Sequence, residues 1–323
     1  MPILRTLVGM IAIACIWAAA GAARAERGAR AAKRARPPSA PWDKGTLGNF
    51  FDDAFATLQG ERPSFSAARM VTAAAGASQP AAAANGPGGG DGFKWSSLIS
   101  EETLTDEIKD MKAAVAGVSS RPSDFKGGGY DTARESFSAI ALAFGVIAAY
   151  DKDIRWKKDA ATARDLFARV GFNCKVGTDQ SFGETKVRLA DLEAMLDGGS
   201  PQGKADRDED FRWNQVAGRP ALMTRLEAAE NGIGGAIASK GDFDRAVARL
   251  VHDAEIVAAI GEAIQQPDFE YHDDDSYRGY AATMRDAAVK IRDACGKKDY
   301  ETARAAASEL KKSCDACHGD YRS

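Results

Sequence analysis

The residues with the most distinctive chemistry are two cysteines and a histidine close to the end of the sequence. Cys314, Cys317 and His318 form a C-x-x-C-H pattern, in which two thiols attach haem through thioether bonds and the histidine binds its iron. On a helix, cysteines three residues apart project from one face, where they can reach both vinyl groups of a porphyrin. Because the sequence contains this pattern once, we predict one covalently attached haem c per chain.

A redox-active disulfide and a zinc site are two other uses of a Cys-x-x-Cys pair. Redox pairs usually open a helix in a fold that also contains strands, whereas Cys314 and Cys317 close a chain with helical patterning. A zinc site would need two further Cys or His ligands, and His252 and His272 are the only other histidines. We interpret these two as a helix-face residue and a loop residue, so haem attachment is the favoured interpretation.

The helices that would carry the motif belong to an internal repeat. Phe93-Lys94-Trp95 returns as Phe211-Arg212-Trp213, and the six residues from Ala160 to Asp165 return, with changes, from Ala281 to Asp286. The two matches are 118 and 121 positions apart. A nearly constant offset indicates two copies of one structural unit.

Each copy has four segments in which apolar residues recur every three or four positions, the spacing of amphipathic helices. Residues 201–210 form the linker between the copies. Because short connections favour antiparallel neighbours, we predict an all-α chain with two tandem up-and-down four-helix bundles, residues 93–200 and 211–323. The expected helices lie near residues 100–118, 130–150, 155–172, 181–197, 214–232, 241–265, 276–295 and 299–320.

The first 92 residues differ from the rest of the chain. Residues 1–25 have the features of an export signal, with Arg5, an apolar run and a small-x-small sequence that ends at Ala25. Basic residues after this segment oppose translocation, so a membrane anchor is the alternative. Residues 26–92 are dominated by Ala, Gly, Pro and Arg, and we expect a disordered tether because they bury too little apolar surface. The signal predicts a periplasmic location.

The charge balance argues against nucleic acid as the partner. Residues 1–36 contain seven of the 43 Lys and Arg residues and one of the 46 Asp and Glu residues, so the remaining chain has a net charge of −9. A negatively charged protein repels the phosphate backbone of a nucleic acid.

The end of the sequence resembles a known family. A four-helix bundle with the haem motif on its last helix, ending Cys-His-Gly-Asp-Tyr-Arg at residues 317–322, is similar to the class II cytochromes c, the cytochrome c-prime family. The resemblance covers residues 211–323, and the first copy joins it only through the repeat. It implies that haem lies between the helices, that His318 is the proximal iron ligand and that Arg322 takes part in haem binding.

The resemblance also implies a distal ligand. Low-spin members of the family have a methionine on the first helix in an Arg-x-x-x-Met pattern, which Arg219 and Met223 match. Residues four apart share a helix face, so a cation can meet a haem propionate while the thioether faces the iron. The alternative is that Met223 is an ordinary core residue beside Leu222 and Leu226.

The first copy lacks all of these groups. Aligned by the repeat, its residues opposite Arg219, Met223, Cys314, Cys317 and His318 are Glu101, Thr105, Leu196, Gly199 and Ser200. Because the haem anchors and the distal residue are absent together, we predict that residues 93–200 form a haem-free bundle with a docking or structural role.

Two further features leave alternatives open. Cys174 and Cys295 occupy matching positions in the two copies, and they would form either a disulfide across a pseudo-symmetric interface or two buried free thiols. The acidic run at residues 273–275 is interpreted as a loop and helix cap, with metal binding as a second interpretation.

These predictions favour single-electron transfer and not an enzyme. Haem iron would cycle between ferric and ferrous states with His318 and Met223 as axial ligands, a pairing that raises the reduction potential. The partner would then be a redox protein, and a homodimer and attachment to a membrane through the N-terminal segment are further expectations. The alternative is a gas-binding or gas-sensing haem protein of the same fold, with an open distal site for NO or CO.

Overall fold

The computed structural model describes residues 93–203 and 211–322. Within these residues it contains eight helices of 14 residues or more and no β-strand. The prediction of an all-α fold is therefore confirmed for these residues. The helices are α1 (Glu101–Val118), α2 (Tyr130–Ala149), α3 (Ala160–Asn173), α4 (Asp179–Leu196), α5 (Arg219–Ala236), α6 (Lys240–Ala263), α7 (Asp275–Lys297) and α8 (Tyr300–Tyr321).

Six of the eight helices begin within two residues of the position expected from the sequence, and two begin later. Helix α3 starts at Ala160 because Trp156 has a φ of 65°, in the left-handed region, which interrupts a right-handed helix. Helix α5 starts at Arg219 because Pro220 has no N–H to donate and fits only in a first helical turn.

Polar side chains define several helix starts. The Ser100 hydroxyl accepts a hydrogen bond from the backbone N–H of Thr103 at the start of α1 (3.2 Å). At the start of α4, Thr178 and Ser181 form a reciprocal capping box. Such caps satisfy backbone donors that have no partner within the helix, and each contributes about 1 kcal/mol.

The described residues form two halves, a first half with α1 to α4 (residues 93–203) and a second half with α5 to α8 (residues 211–322). Each half is held together by contacts between consecutive helices. In the first half α1 packs against α2, α2 against α3 and α3 against α4, and α4 also contacts α1 and α2. In the second half α5 packs against α6, α6 against α7 and α7 against α8, and α8 contacts α5. Contacts of α2 with α5 and of α1 with α6 join the halves, and the buried apolar residues of both form one continuous core.

Among the described residues, one segment is long and apolar enough to cross a membrane, Pro122–Ala149, with a mean hydropathy of 1.3. Within the protein 72% of its apolar window is buried, as in a core helix. The predicted export signal or anchor (residues 1–25), the predicted tether (residues 26–92) and most of the predicted linker (residues 201–210) lie outside the described residues.

Candidate functional site

Helix α8 places the three motif residues on one face. The helix starts after Asp299, whose carboxylate accepts a hydrogen bond from the Thr302 backbone N–H (3.1 Å). Because positions i, i+3 and i+4 of a helix are neighbours, Cys314, Cys317 and His318 lie side by side. The two cysteines are half-buried and the histidine is exposed.

The motif lines a cavity of about 590 Å³ among α5, α6, α7 and α8. Cofactor and small-molecule sites have volumes of roughly 300–1,000 Å³, so this cavity has the size of a cofactor site. Helices that are distant in the sequence therefore bring together all the residues assigned to haem binding. The six that line the cavity are Arg219, Met223, Cys314, Cys317, His318 and Arg322.

The cavity combines an apolar wall with a charged rim. Its apolar residues include Leu226, Val257, Ile264, Ala281, Met284 and Leu310. On the rim, the Lys311 ammonium lies 3.8 Å from a Glu230 oxygen and 3.5 Å from an Asp315 oxygen. This distribution suits a cofactor with a large apolar surface and ionised groups at its edge, because charged groups are costly to bury.

Two methionines line the cavity, and they are packed differently. Met284 is 6% exposed, and its terminal methyl group lies against α6, only 3.2 Å from where a Cβ at Gly261 would be. Met223 is half-buried on α5. The Met223 thioether is therefore less engaged in core packing, which favours Met223 over Met284 as an iron ligand.

Arg219 is held at the cavity by residues of the loop before α7. Its Nε lies 3.0 Å from a Glu270 carboxylate oxygen, and its guanidinium lies over the Tyr271 ring, 5.0 Å from the centroid. Tyr271 has a φ of 63°, a conformation that is costly for a bulky residue. These contacts fix the position of the Arg219 cation, while Glu270 offsets part of its charge.

A buried tyrosine that the sequence analysis did not identify also lines the cavity. Tyr277 on α7 is 2% exposed, and its hydroxyl has no hydrogen-bond partner in the polypeptide. Burial, with a smaller contribution from Cys317, raises the pKa of this hydroxyl to about 12 against the opposing effect of Arg219. Tyr277 is therefore protonated at neutral pH, and a bound group with acceptor oxygens would satisfy its buried O–H donor. The residues lining the cavity thus fit haem.

The sequence did contain a signal for this tyrosine. Tyr277, Tyr280, Ala281 and Met284 are spaced three, four and seven positions apart, so they share the face of α7 that lines the cavity. Two tyrosines at helical spacing beside Ala281 and Met284 indicate a face that differs from an ordinary aliphatic core face. The Tyr277 ring also contacts the ring of Tyr321 on α8, at a centroid distance of 5.3 Å.

The electrostatics of the two cysteines oppose the alternative of a redox-active disulfide. Burial raises the pKa of the Cys314 thiol to about 11, and the carboxylates of Glu230 and Asp315 act in the same direction. Burial also raises the pKa of Cys317, although Arg219 opposes the increase. Redox-active Cys-x-x-Cys pairs instead have a thiol with a lowered pKa. Within residues 93–203 and 211–322, no group of three or more Cys, His, Asp or Glu side chains could hold a metal ion.

The first half is filled by aromatic side chains. Phe167 stacks between Phe137 and Phe144, with ring centroids 5.9 and 5.5 Å apart. Trp156 contacts Phe144 edge-on, at a centroid distance of 5.8 Å. In the repeat register, Phe167 corresponds to Ala288 and Trp156 to Tyr277. Helix α4 has 18 residues and α8 has 22, and α4 ends before the positions that match Cys317 and His318. Larger side chains and a shorter last helix thus distinguish this half from the half with the motif.

The remaining histidines and acidic residues have structural surroundings. His252 lies on the buried face of α6, and His272 Nδ1 lies 2.8 Å from the Phe269 carbonyl oxygen in a loop. The Asp274 carboxylate accepts hydrogen bonds from the backbone N–H groups of Ser276 and Tyr277. The interpretations of a helix-face histidine, a loop histidine and an acidic helix cap are therefore confirmed.

Cys174 and Cys295 are free thiols, and both are buried. The Cys174 Sγ lies 3.5 Å from the Thr185 hydroxyl oxygen, and Cys295 is only 1% exposed. Of the two alternatives, the structure therefore contains buried thiols and no disulfide between these residues.

No protein-family model, curated protein or solved structure matches this chain.

Proposed function

We propose that this chain is an exported c-type cytochrome that transfers single electrons and binds one haem c through thioether bonds to Cys314 and Cys317. Each half would form an up-and-down four-helix bundle similar to those of the class II cytochromes c, and only the second would hold haem. The observation that carries this proposal is the convergence of the C-x-x-C-H motif and the predicted distal residues on one cavity of cofactor size. A C-x-x-C-H sequence that bound no cofactor would not be expected to line a cavity of this size.

Residues of two helices would hold the iron, His318 on α8 and Met223 on α5, and both line the cavity. When bound, the haem supplies a single-electron couple between ferric and ferrous iron. A histidine and methionine ligand pair raises the reduction potential of haem iron.

The polar residues of the cavity would hold the edge of the cofactor. Arg219 and Arg322 contribute positive charge, and Tyr277 contributes an unpartnered hydroxyl donor. Haem propionates are ionised carboxylates, which bind well to guanidinium groups and to O–H donors. The apolar residues Leu226 and Val257 would keep water away from the porphyrin.

Exposure of the motif supports exchange of electrons with a redox partner protein. His318 is exposed, and charged residues such as Lys311 and Asp315 surround the cavity. Charged rims of this kind steer transient partners and determine which of them bind. The partner would meet the protein in the periplasm, where the predicted export signal would deliver it.

Optical spectra of the full chain matured with haem c test the proposal. We expect one haem per chain by haemochrome analysis, colour that stays with the protein in acid–acetone, and a low-spin spectrum that CO does not change. Cys314→Ser with Cys317→Ser should release the haem, while Cys174→Ser with Cys295→Ser should retain it. Extraction of haem from the unsubstituted protein would refute covalent attachment, and a high-spin protein that binds CO would establish the gas-binding alternative.

A further inference from the structure

Residues at equivalent positions of the two repeats are in contact with each other. Trp95 and Trp213 are 118 positions apart in the sequence, which is the offset of the repeat. Their ring centroids are 5.1 Å apart. Contact between a residue and its own equivalent is the signature of a two-fold axis, because such contacts occur only where the axis passes.

A second pair of equivalent residues is joined by a salt bridge. Helix α5 begins and ends 118 positions after α1, and the same offset separates Glu107 from Arg225. The Arg225 Nε and Nη2 donate to the two Glu107 carboxylate oxygens at 2.7 and 2.8 Å. Both side chains are buried, with 2% of Glu107 and 7% of Arg225 exposed. A bidentate pair of this kind is sensitive to the loss of either charge.

The segments before α1 and α5 lie against the opposite half, as a two-fold relationship requires. Before α1, the Ser97 carbonyl oxygen accepts a hydrogen bond from Arg292 Nη1 of α7 (2.7 Å). Ser100 donates to a Glu255 carboxylate oxygen of α6 through its backbone N–H (3.0 Å) and through its hydroxyl (2.7 Å).

The reciprocal contacts involve the segment before α5. The Arg164 guanidinium of α3 lies 3.8 Å from the centroid of the Phe211 ring. The Trp213 ring lies against α2 at Gly145, where a Cβ would be 3.5 Å from a ring carbon. Each half therefore receives the leading segment of the other on its second and third helices.

The charges of Glu107 and Arg225 favour association of the first half with the second over association of two identical halves. If two copies of the haem-bearing half associated through this face, each Arg225 would meet a second Arg225 and lose its bidentate carboxylate. Asp253 is 3.6 Å from Arg225, but its other oxygen accepts a hydrogen bond from Arg249 (2.9 Å). Two copies of the first half would likewise bury Glu107 against Glu107. Buried like charges are strongly unfavourable, so self-association is disfavoured in both cases.

We infer that the first half is a built-in binding partner of the second, paired with it about a pseudo-two-fold axis, and that the Glu107–Arg225 pair selects this pairing over dimerisation of the chain. The first half occupies the face through which α5 would otherwise meet another copy. The chain is then a monomer with an internal interface, contrary to the homodimer expected from the sequence. This inference does not depend on haem.

Charge reversal in the full chain tests the inference. Glu107→Arg and Arg225→Glu each place like charges at the axis, and each should lower the equilibrium constant for folding about a hundredfold or more in urea titrations. The double variant restores opposite charges across the axis and should be more stable than the two single changes together allow, although its carboxylate at position 225 lies beside Asp253. It should fold even where a single variant does not. Lys290→Glu and Glu309→Lys alter an exposed pair within the second half and should have little effect.

Analytical ultracentrifugation provides the second readout. The unsubstituted chain should sediment as a monomer over a hundredfold range of concentration. Two results would overturn the inference. The first is a double variant whose loss of unfolding free energy equals the sum of the losses in the two single variants. The second is a concentration-dependent dimer of the unsubstituted chain that Arg225→Glu abolishes.

Discussion

Met223 and Met284 line the same cavity from two helices, and only Met284 is packed tightly against α6. A thioether that ligates iron must direct its sulfur into the cavity and not into the core. The structure therefore distinguishes the two methionines by their packing. Substitution of Met284 can serve as the control for substitution of Met223.

Met223→Ala should open the sixth coordination position of the iron. The unsubstituted ferric protein is expected to be low-spin, with a weak charge-transfer band in the far red. The variant should become high-spin and bind CO readily, because Met284, the other thioether that lines the cavity, is packed against α6. Absorption spectra with and without CO measure both changes.

Met284→Ala and Met195→Ala are the controls for this substitution. Both residues are buried, at 6% and 0% exposure, so each change should cost about 2–5 kcal/mol of unfolding free energy. Neither should change the spin state. Loss of the far-red band in Met284→Ala, with retention in Met223→Ala, would show that the ligand assignment is wrong.

The helices and the residues of the candidate site could be predicted because their signals are local. Apolar residues at three- and four-residue spacing gave the helix positions, and the repeat identified which helices correspond. The C-x-x-C-H motif and the spacing of Arg219 and Met223 are also short-range patterns. Each of these residues lines the cavity.

Features that depend on tertiary contacts could not be predicted in this way. Glu107 and Arg225 are charged residues within amphipathic helices, and a periodic pattern would place them on the solvent side. Only the packing of the two halves, through contacts of α2 with α5 and of α1 with α6, buries them together. Likewise, whether the Tyr277 hydroxyl has a hydrogen-bond partner depends on which groups surround it in the folded protein, and no sequence pattern predicts this.

Phe167→Ala should destabilise the protein without affecting haem. Phe167 is fully buried in the aromatic stack of the first half, so removal of its ring should leave a cavity and cost about 3–5 kcal/mol. Urea titration measures this loss, and haemochrome analysis should still give one haem per chain. Val176→Ala, at a residue that is 60% exposed, should change stability by less than about 0.5 kcal/mol. A haem content that falls with Phe167→Ala would contradict a purely structural role for the first half.

The stability of the protein should fall in alkaline solution, in part because of Cys295. Burial raises the pKa of its thiol from 9.0 to about 11. The folded protein keeps this proton between about pH 9 and 11, whereas the unfolded chain releases it, so the unfolding free energy falls as pH rises through this range. The contribution of this thiol is about 1–3 kcal/mol.

Cys295→Ala isolates this contribution from other groups that titrate in the same range. The variant will be less stable at every pH because it removes buried volume. Between pH 9 and 11, however, its unfolding free energy should fall less steeply with pH, by a slope that corresponds to nearly one proton. Urea titrations at several pH values measure the slope. An unchanged slope would mean that Cys295 ionises with the same pKa in the folded and unfolded states.

Tyr277→Phe should have opposite effects on the haem-free and haem-loaded protein. Without haem, the Tyr277 hydroxyl is buried and unpartnered, so its removal should leave stability unchanged or raise it. With haem, the hydroxyl would donate to an acceptor on the cofactor, and its loss should cost about 1–2 kcal/mol and shift the reduction potential. Tyr280→Phe is the control, because the Tyr280 hydroxyl already donates to Asp320 (2.8 Å) and should contribute equally in both forms. If Tyr277→Phe changes the stability of both forms equally and leaves the potential unaltered, Tyr277 fills space in the wall of the cavity and does not bind the cofactor.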